Sequence, residues 1–192
     1  AERAVRLANG NSVFVQTDAA GNSYAPWRLD IRDTKVTWMG SIPHSRNSQV
    51  DAWNGGHHDG WIEAKRSHVA DYAKMPLTMG HYTREAIPLQ FALAEAFTIC
   101  DAYFCSLMGP IDPNRVYHWT GSVNPPGNPV AALIDNDVTE NCIASWTTCP
   151  ERLEKAGISW RVYQKGIEND DKRPYEGNYG DNPLLFFRQY ID

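Results

Sequence analysis

With 192 residues, 42% of them hydrophobic and 21% charged, the chain is long enough to bury a core and too apolar to read as disordered. A formal net charge of -5, with the 18 Lys and Arg residues scattered rather than clustered, excludes a basic nucleic-acid groove. No apolar run reaches the roughly 18 residues that a transmembrane helix needs, and no charged-then-apolar segment opens the sequence at Ala1.

The first elements read as hairpins. Residues 5–7 and 12–15 flank an Asn9-Gly10 turn, and a second turn follows at Ala20-Gly21-Asn22. Residues 44–78 read as turn-rich and helical pieces anchored by Trp53, Trp61 and Ile62, with Lys65 and Arg66 on the solvent side. Pro88 suits the first turn of a helix that carries Phe91, Leu93, Ala94, Phe97 and Ile99, and residues 102–105 then read as a short buried strand. Gly109-Pro110 breaks that strand. Asp112 is a good N-cap and Pro113 a good first helical residue, which puts position 111 just before the positive end of a helix, where an anion is favoured.

Residues 122–137 hold Pro125, Pro126 and Pro129 among Gly and Asn and read as a surface loop. Thr148 and Glu151 have capping-box spacing with Pro150 in the first turn, Gly157 is a helix stop, and residues 158–163 read as a strand. Residues 165–182 are polar and loop-like, and Asn182-Pro183 starts a last short helix over 184–190. Helices alternating with strands predict an α/β layered domain with a largely parallel central sheet, edged by the N-terminal hairpins. Cys100, Cys105, Cys142 and Cys149 allow three pairings but fit no common zinc spacing, so buried thiols or one disulfide are expected.

Five segments together resemble a known family: GNSVFVQTDAAGN (10–22); IPHS followed by AWNGG and DGW (42–61); TMGHYTREAIP (78–88); the central run ALAEAFTICDAYFCSLMGPIDPNRVYHWTG (92–121); and WTTCPERLEKAGISWRVYQ (146–164). In this order they resemble the bacterial phosphocholine-type phospholipases C of the phosphoesterase family, relatives of alkaline phosphatase. The resemblance implies an alkaline-phosphatase-like fold, of which residues 1–192 form a single partial domain. It also implies a secreted or periplasmic phosphodiester hydrolase that acts on a phospholipid or phosphocholine ester through a covalent phospho-enzyme, with a divalent metal ion. The upstream Glu-Asn motif and the downstream acidic and histidine ligands of that family do not occur here, so the chain resembles an internal piece of a longer enzyme.

The family places its catalytic hydroxyl two residues before Pro-Asn-Arg, and here that place is Ile111. Isoleucine cannot attack phosphorus, which makes a catalytically silent relative or a scaffold the alternative. Asn114 and Arg115 match the residues beside the phosphate, where a guanidinium can hold two phosphoryl oxygens. Equally, Asn114 can cap a loop and Arg115 can pair with Asp101 or Asp112. His44 matches a histidine that faces the phosphate in the family. His57, His58 and Asp59 have metal-ligand chemistry, but adjacent side chains rarely converge on one ion, and a solvated glycine-rich turn is the competing reading. Thr120 and Ser106 lie too far along the chain to replace a hydroxyl at 111. Trp146, Trp160 and Tyr163 are expected in the core, whereas Tyr103, Tyr117 and Trp119 stay open for a choline cage.

Overall fold

A computed structural model describes residues 6–7, 10–12, 14–32, 39–129, 131–136, 144–163 and 182–190. Val5, Asn9, Val13, Cys142 and the loop expected over 165–181 fall outside these. The chain divides into two compact units, Ala1–Phe104 and Cys105–Asp192.

In the first unit the strands β1 (Gln16–Thr17) and β2 (Ser23–Tyr24) pair antiparallel, Gln16 opposite Tyr24, about the expected turn. Gly21 has φ +87°, which a residue without Cβ adopts freely, and the Asp18 carboxylate accepts from the amides of Ala20 (3.0 Å) and Asn22 (2.8 Å). An isolated antiparallel bridge, Arg6 to Ser12, supports the earlier hairpin. β3 (Trp27–Arg28) and β4 (Gly80–His81) form a parallel pair.

Helix α1 (Arg46–Trp53) starts at Ser45, whose side chain accepts from the Ser48 amide, and packs on the single turn α2 (Trp61–Ala64). Gly60 makes that packing possible: a Cβ there would lie 2.3 Å from the Asp51 carbonyl oxygen. Leu29, Ala52, Ile62 and Leu77 are the buried apolar residues around these elements. Of the expected anchors, Ile62 is buried and Trp61 half-buried, but Trp53 is exposed. Lys65 also departs from expectation. It is 4% exposed rather than solvated, because it follows Ile62 by three residues and so shares its inward face.

Helix α3 (Pro88–Ala96) begins at the expected proline and buries no residue; Leu89, Leu93, Phe97 and Ile99 are exposed. The buried strand read over 102–105 is instead turn and irregular chain, with Phe104 80% exposed. A strand exists only through the ladder it joins, and among the described residues nothing pairs with this segment. The same reason removes the strand read over 158–163.

The second unit packs around Val116, Val123, Leu133, Ala144, Phe186 and Phe187, with Tyr117, Trp146 and Tyr190 against them. Helix α4 (Ile111–Thr120) supplies Val116. The 122–137 loop is pinned by a Leu133 N–H to Val123 carbonyl bond of 3.0 Å, so both apolar residues enter the core. Helix α5 (Cys149–Lys155) opens with the expected capping box, the Thr148 amide donating to Glu151 Oε2 at 2.7 Å, and Gly157 (φ +70°) follows its end. The last helix resolves into two 3₁₀ turns, Pro183–Phe186 and Arg188–Tyr190, because Phe187 between them bridges to Ala144. Trp146 packs on the core and meets Phe187 edge to face, whereas Trp160, which meets Tyr190 edge to face, is only half-buried and Tyr163 is 85% exposed.

The molecule is therefore a mixed α/β protein with small sheets. The expected central sheet is represented among the described residues by the one parallel pair, β3–β4. Cys100, Cys105 and Cys149 are free and exposed rather than buried or bridged, since the chain around the first two is uncovered and Cys149 opens a helix at the surface.

Candidate active site

The expected helix after Gly109-Pro110 is present but starts two residues early. Pro110 occupies the N-cap, Ile111 is the first helical residue and Asp112 the second, not the cap. Pro113 tolerates this place because the third amide of a helix has no partner within the helix. Asp112 is buried, and its amide donates to Asn136 Oδ1 at 3.1 Å. As an acid in the first turn it complements the positive helix end. Ile111 is 47% exposed at that end.

Asn114 holds the loop that leads into α4. Its Oδ1 accepts from the Leu107 amide at 3.0 Å, while Nδ2 lies 3.0 Å from the carbonyls of Leu107 and Pro110 and 3.3 Å from that of Gly109. These are the contacts of the loop-capping reading, and they fix the chain on which position 111 sits. Arg115 is half-buried on the next position of the helix. Thr120 closes the helix: its hydroxyl lies 2.9 Å from the Val116 carbonyl and 2.7 Å from that of Ser122. It is a C-terminal staple nine residues beyond 111, and Ser106 is exposed in the preceding bend.

His44 belongs to the first unit, in the turn that enters α1. It is exposed, and Nδ1 lies 3.2 Å from the Ile42 carbonyl oxygen. A carbonyl only accepts, so Nδ1 is the donor in this contact. The first turn of α1 contains no acidic residue, which leaves its positive end uncompensated by side chains of the helix. Sequence reasoning missed the residues beneath this turn, Lys65 and Ser48. Lys65 Nζ donates to the Pro43 carbonyl at 3.0 Å and to Ser48 Oγ at 2.9 Å. The available signal was a lysine three positions after a core isoleucine.

His57 and His58 are exposed in a glycine-rich turn, and Asp59 accepts from Asn54 at 2.8 Å. Among the described residues no group of three or more His, Cys, Asp or Glu side chains could hold a metal ion. The described residues thus do not by themselves fit the divalent cation that the resemblance implies. Of the aromatics left open, Tyr103 is exposed, Tyr117 packs on the core and Trp119 is half-buried.

The model of the phosphoesterase family matches residues 1–192. The chain is 39% identical over 197 residues to the non-hemolytic phospholipase C of Burkholderia pseudomallei, an overlap of 98% of this chain and 26% of that protein. It is 34% identical to the hemolytic phospholipase C of Pseudomonas aeruginosa over 98% of this chain and 27% of that protein. With phospholipase C B of Mycobacterium tuberculosis the identity is 40%, over 95% of this chain and 35% of that protein. The chain thus spans about a quarter to a third of the length of the curated relatives it matches.

Proposed function

The chain belongs to the phosphoesterase family, and from that premise we propose that it is part of a phospholipase C-type phosphodiester hydrolase acting on phosphocholine-type lipid headgroups. The observation that carries this reading is a family match along the whole chain, together with relatives named phospholipase C that cover nearly all of it. We assign residues 1–192 to one partial domain of an alkaline-phosphatase-like layered fold, in an exported protein whose divalent metal is held mainly by residues outside this chain. Among the described residues no helix is long and apolar enough to cross a membrane.

The reaction assigned to the family position at 111 is attack of a hydroxyl oxygen on phosphorus. The ester bond to the lipid alcohol breaks, the headgroup phosphate stays on the enzyme, and water then releases it. Arg115 is assigned to the phosphoryl oxygens, Asn114 to the shape of the loop that carries position 111, and His44 to a catalytic role through Nε2, the ring nitrogen not engaged with Ile42. Ile111 offers only methyl and methylene groups, so this sequence is proposed to lack the first step. That substitution, exposed at a helix start, favours a second reading, a relative that binds phosphate or phosphocholine without cleaving it.

The test has two arms. The chain as it stands should give no turnover of p-nitrophenylphosphorylcholine; steady turnover that tracks the purified protein would require another nucleophile. Ile111→Thr, in a protein that also supplies metal-binding segments, should restore hydrolysis by a factor on the order of 10⁶, the loss typical of a missing nucleophile. A phosphorylated Thr at 111 should then be trapped for mass spectrometry. A folded, metal-loaded and inactive Ile111→Thr protein that still binds phosphocholine would establish the binding reading instead.

A further inference from the structure

Burying an ammonium beside neutral acceptors is unfavourable, and replacing a buried ion by an apolar group of similar length is commonly neutral or stabilising. Lys65 is such a group. It is 4% exposed, it forms none of the described salt bridges, and burial pushes its ammonium below the ordinary lysine range. The next residue shows the alternative: Arg66 pairs with Glu63 at 3.0 Å at the protein surface. Stability alone gives no reason for a lysine to point inward here.

The reason lies in what Nζ holds. It donates to the carbonyl of Pro43, the residue before His44, and to Ser48 Oγ. Ser48 Oγ donates in turn to the carbonyl of Ser45, the residue after His44, at 2.9 Å, and the Ser48 amide donates back to Ser45 Oγ at 3.3 Å. One ammonium therefore ties, directly and through one hydroxyl, the carbonyl just before His44 and the carbonyl of Ser45 just after it. With the chain held before and after His44, the imidazole stays where Nδ1 meets the Ile42 carbonyl at 3.2 Å.

We propose that Lys65, acting through Ser48, is a positioning residue that holds the 43–45 turn and thereby the orientation and tautomer of His44. The proposal rests on the assignment of His44 to the site, but its test does not need catalysis. In the intact chain, ¹⁵N NMR of the histidine rings, with His44 identified by its loss in His44→Asn, should show a protonated Nδ1 and an unprotonated Nε2. In Lys65→Met both ring nitrogens of His44 should move toward the averaged shifts of an unrestrained imidazole, while the other five histidines keep theirs. Amide protection at Ala52 and Ile62 should be retained. Ser48→Ala removes the relay alone and should move the His44 signals in the same direction, so it decides the matter if Lys65→Met does not fold. His44 shifts that superimpose on those of the parent in the folded variants would overturn the proposal. So would a collapse of Ala52 and Ile62 protection in both variants with all histidines shifting together, since that is a purely structural role. Either result leaves the phosphodiesterase reading untouched, and an inactive Ile111→Thr protein leaves this one untouched.

Discussion

Replacing Asn114 by alanine separates the two roles its position permits. Its amide has two hydrogens shared among three carbonyls and one oxygen that accepts from Leu107, which amounts to about three hydrogen bonds. At roughly 1 kcal/mol each the loss approaches 3 kcal/mol. Alanine is the better helix former by about half a kcal/mol or slightly more, and water reaches part of the half-buried site, so a net loss of about 2 kcal/mol is expected. For a chain of this size that lowers the melting temperature by roughly 4 to 8 °C. Hydrogen exchange is the informative assay: the Leu107 amide should lose its protection outright, whereas Val116 and Leu133, buried in the same unit, should lose only the global 2 kcal/mol. Unchanged stability with Leu107 still protected, alongside lost affinity for inorganic phosphate, would refute this reasoning and return the side chain to the ligand.

Two further outcomes follow from the first unit. Gly60→Ala should cost about 1 to 3 kcal/mol, the range of overpacked sites, because the added Cβ meets the Asp51 backbone oxygen and α1 must move off α2; denaturant unfolding would show a lowered midpoint, and an unchanged midpoint would mean that the contact relaxes freely. The Asp18 carboxyl is held at about 2, chiefly by the Asn22 side chain, with Tyr24 and the Asn22 and Ala20 amides adding to it. A depressed carboxyl stabilises the folded form above its ordinary value near 3.8 and loses that contribution as pH falls through about 2. Exchange of the Asn22 amide, corrected for its intrinsic pH dependence, should therefore quicken between pH 4 and 2 in the parent and show no such step in Asp18→Asn.

Family membership was legible in the sequence, because runs such as 42–45 and 109–115 carry it in residue identity and need no knowledge of packing. So were the elements whose cause lies within one turn of chain. Pro88 starts α3 through its fixed φ and missing amide, Thr148 and Glu151 cap α5 reciprocally, and Gly21 and Gly157 take positive φ where turns require it. The start of α4 was misplaced by two residues because Pro113 is compatible with either the first or the third helical position. Strands were the weakest part: residues 102–105 and 158–163 have strand composition, but a strand is made by its neighbour, and pairing is non-local. Burial was decided the same way. Nothing within four residues of Lys65 says that Pro43 and Ser48, 22 and 17 positions earlier, wait as acceptors, and only the packing of α1 on α2 about Gly60 brings them there. The chemistry at position 111 shows both limits. That an isoleucine stands where the family resemblance implies a hydroxyl is read from the sequence, whereas the loop that holds it, closed by Asn114, exists only once the chain has folded back on itself.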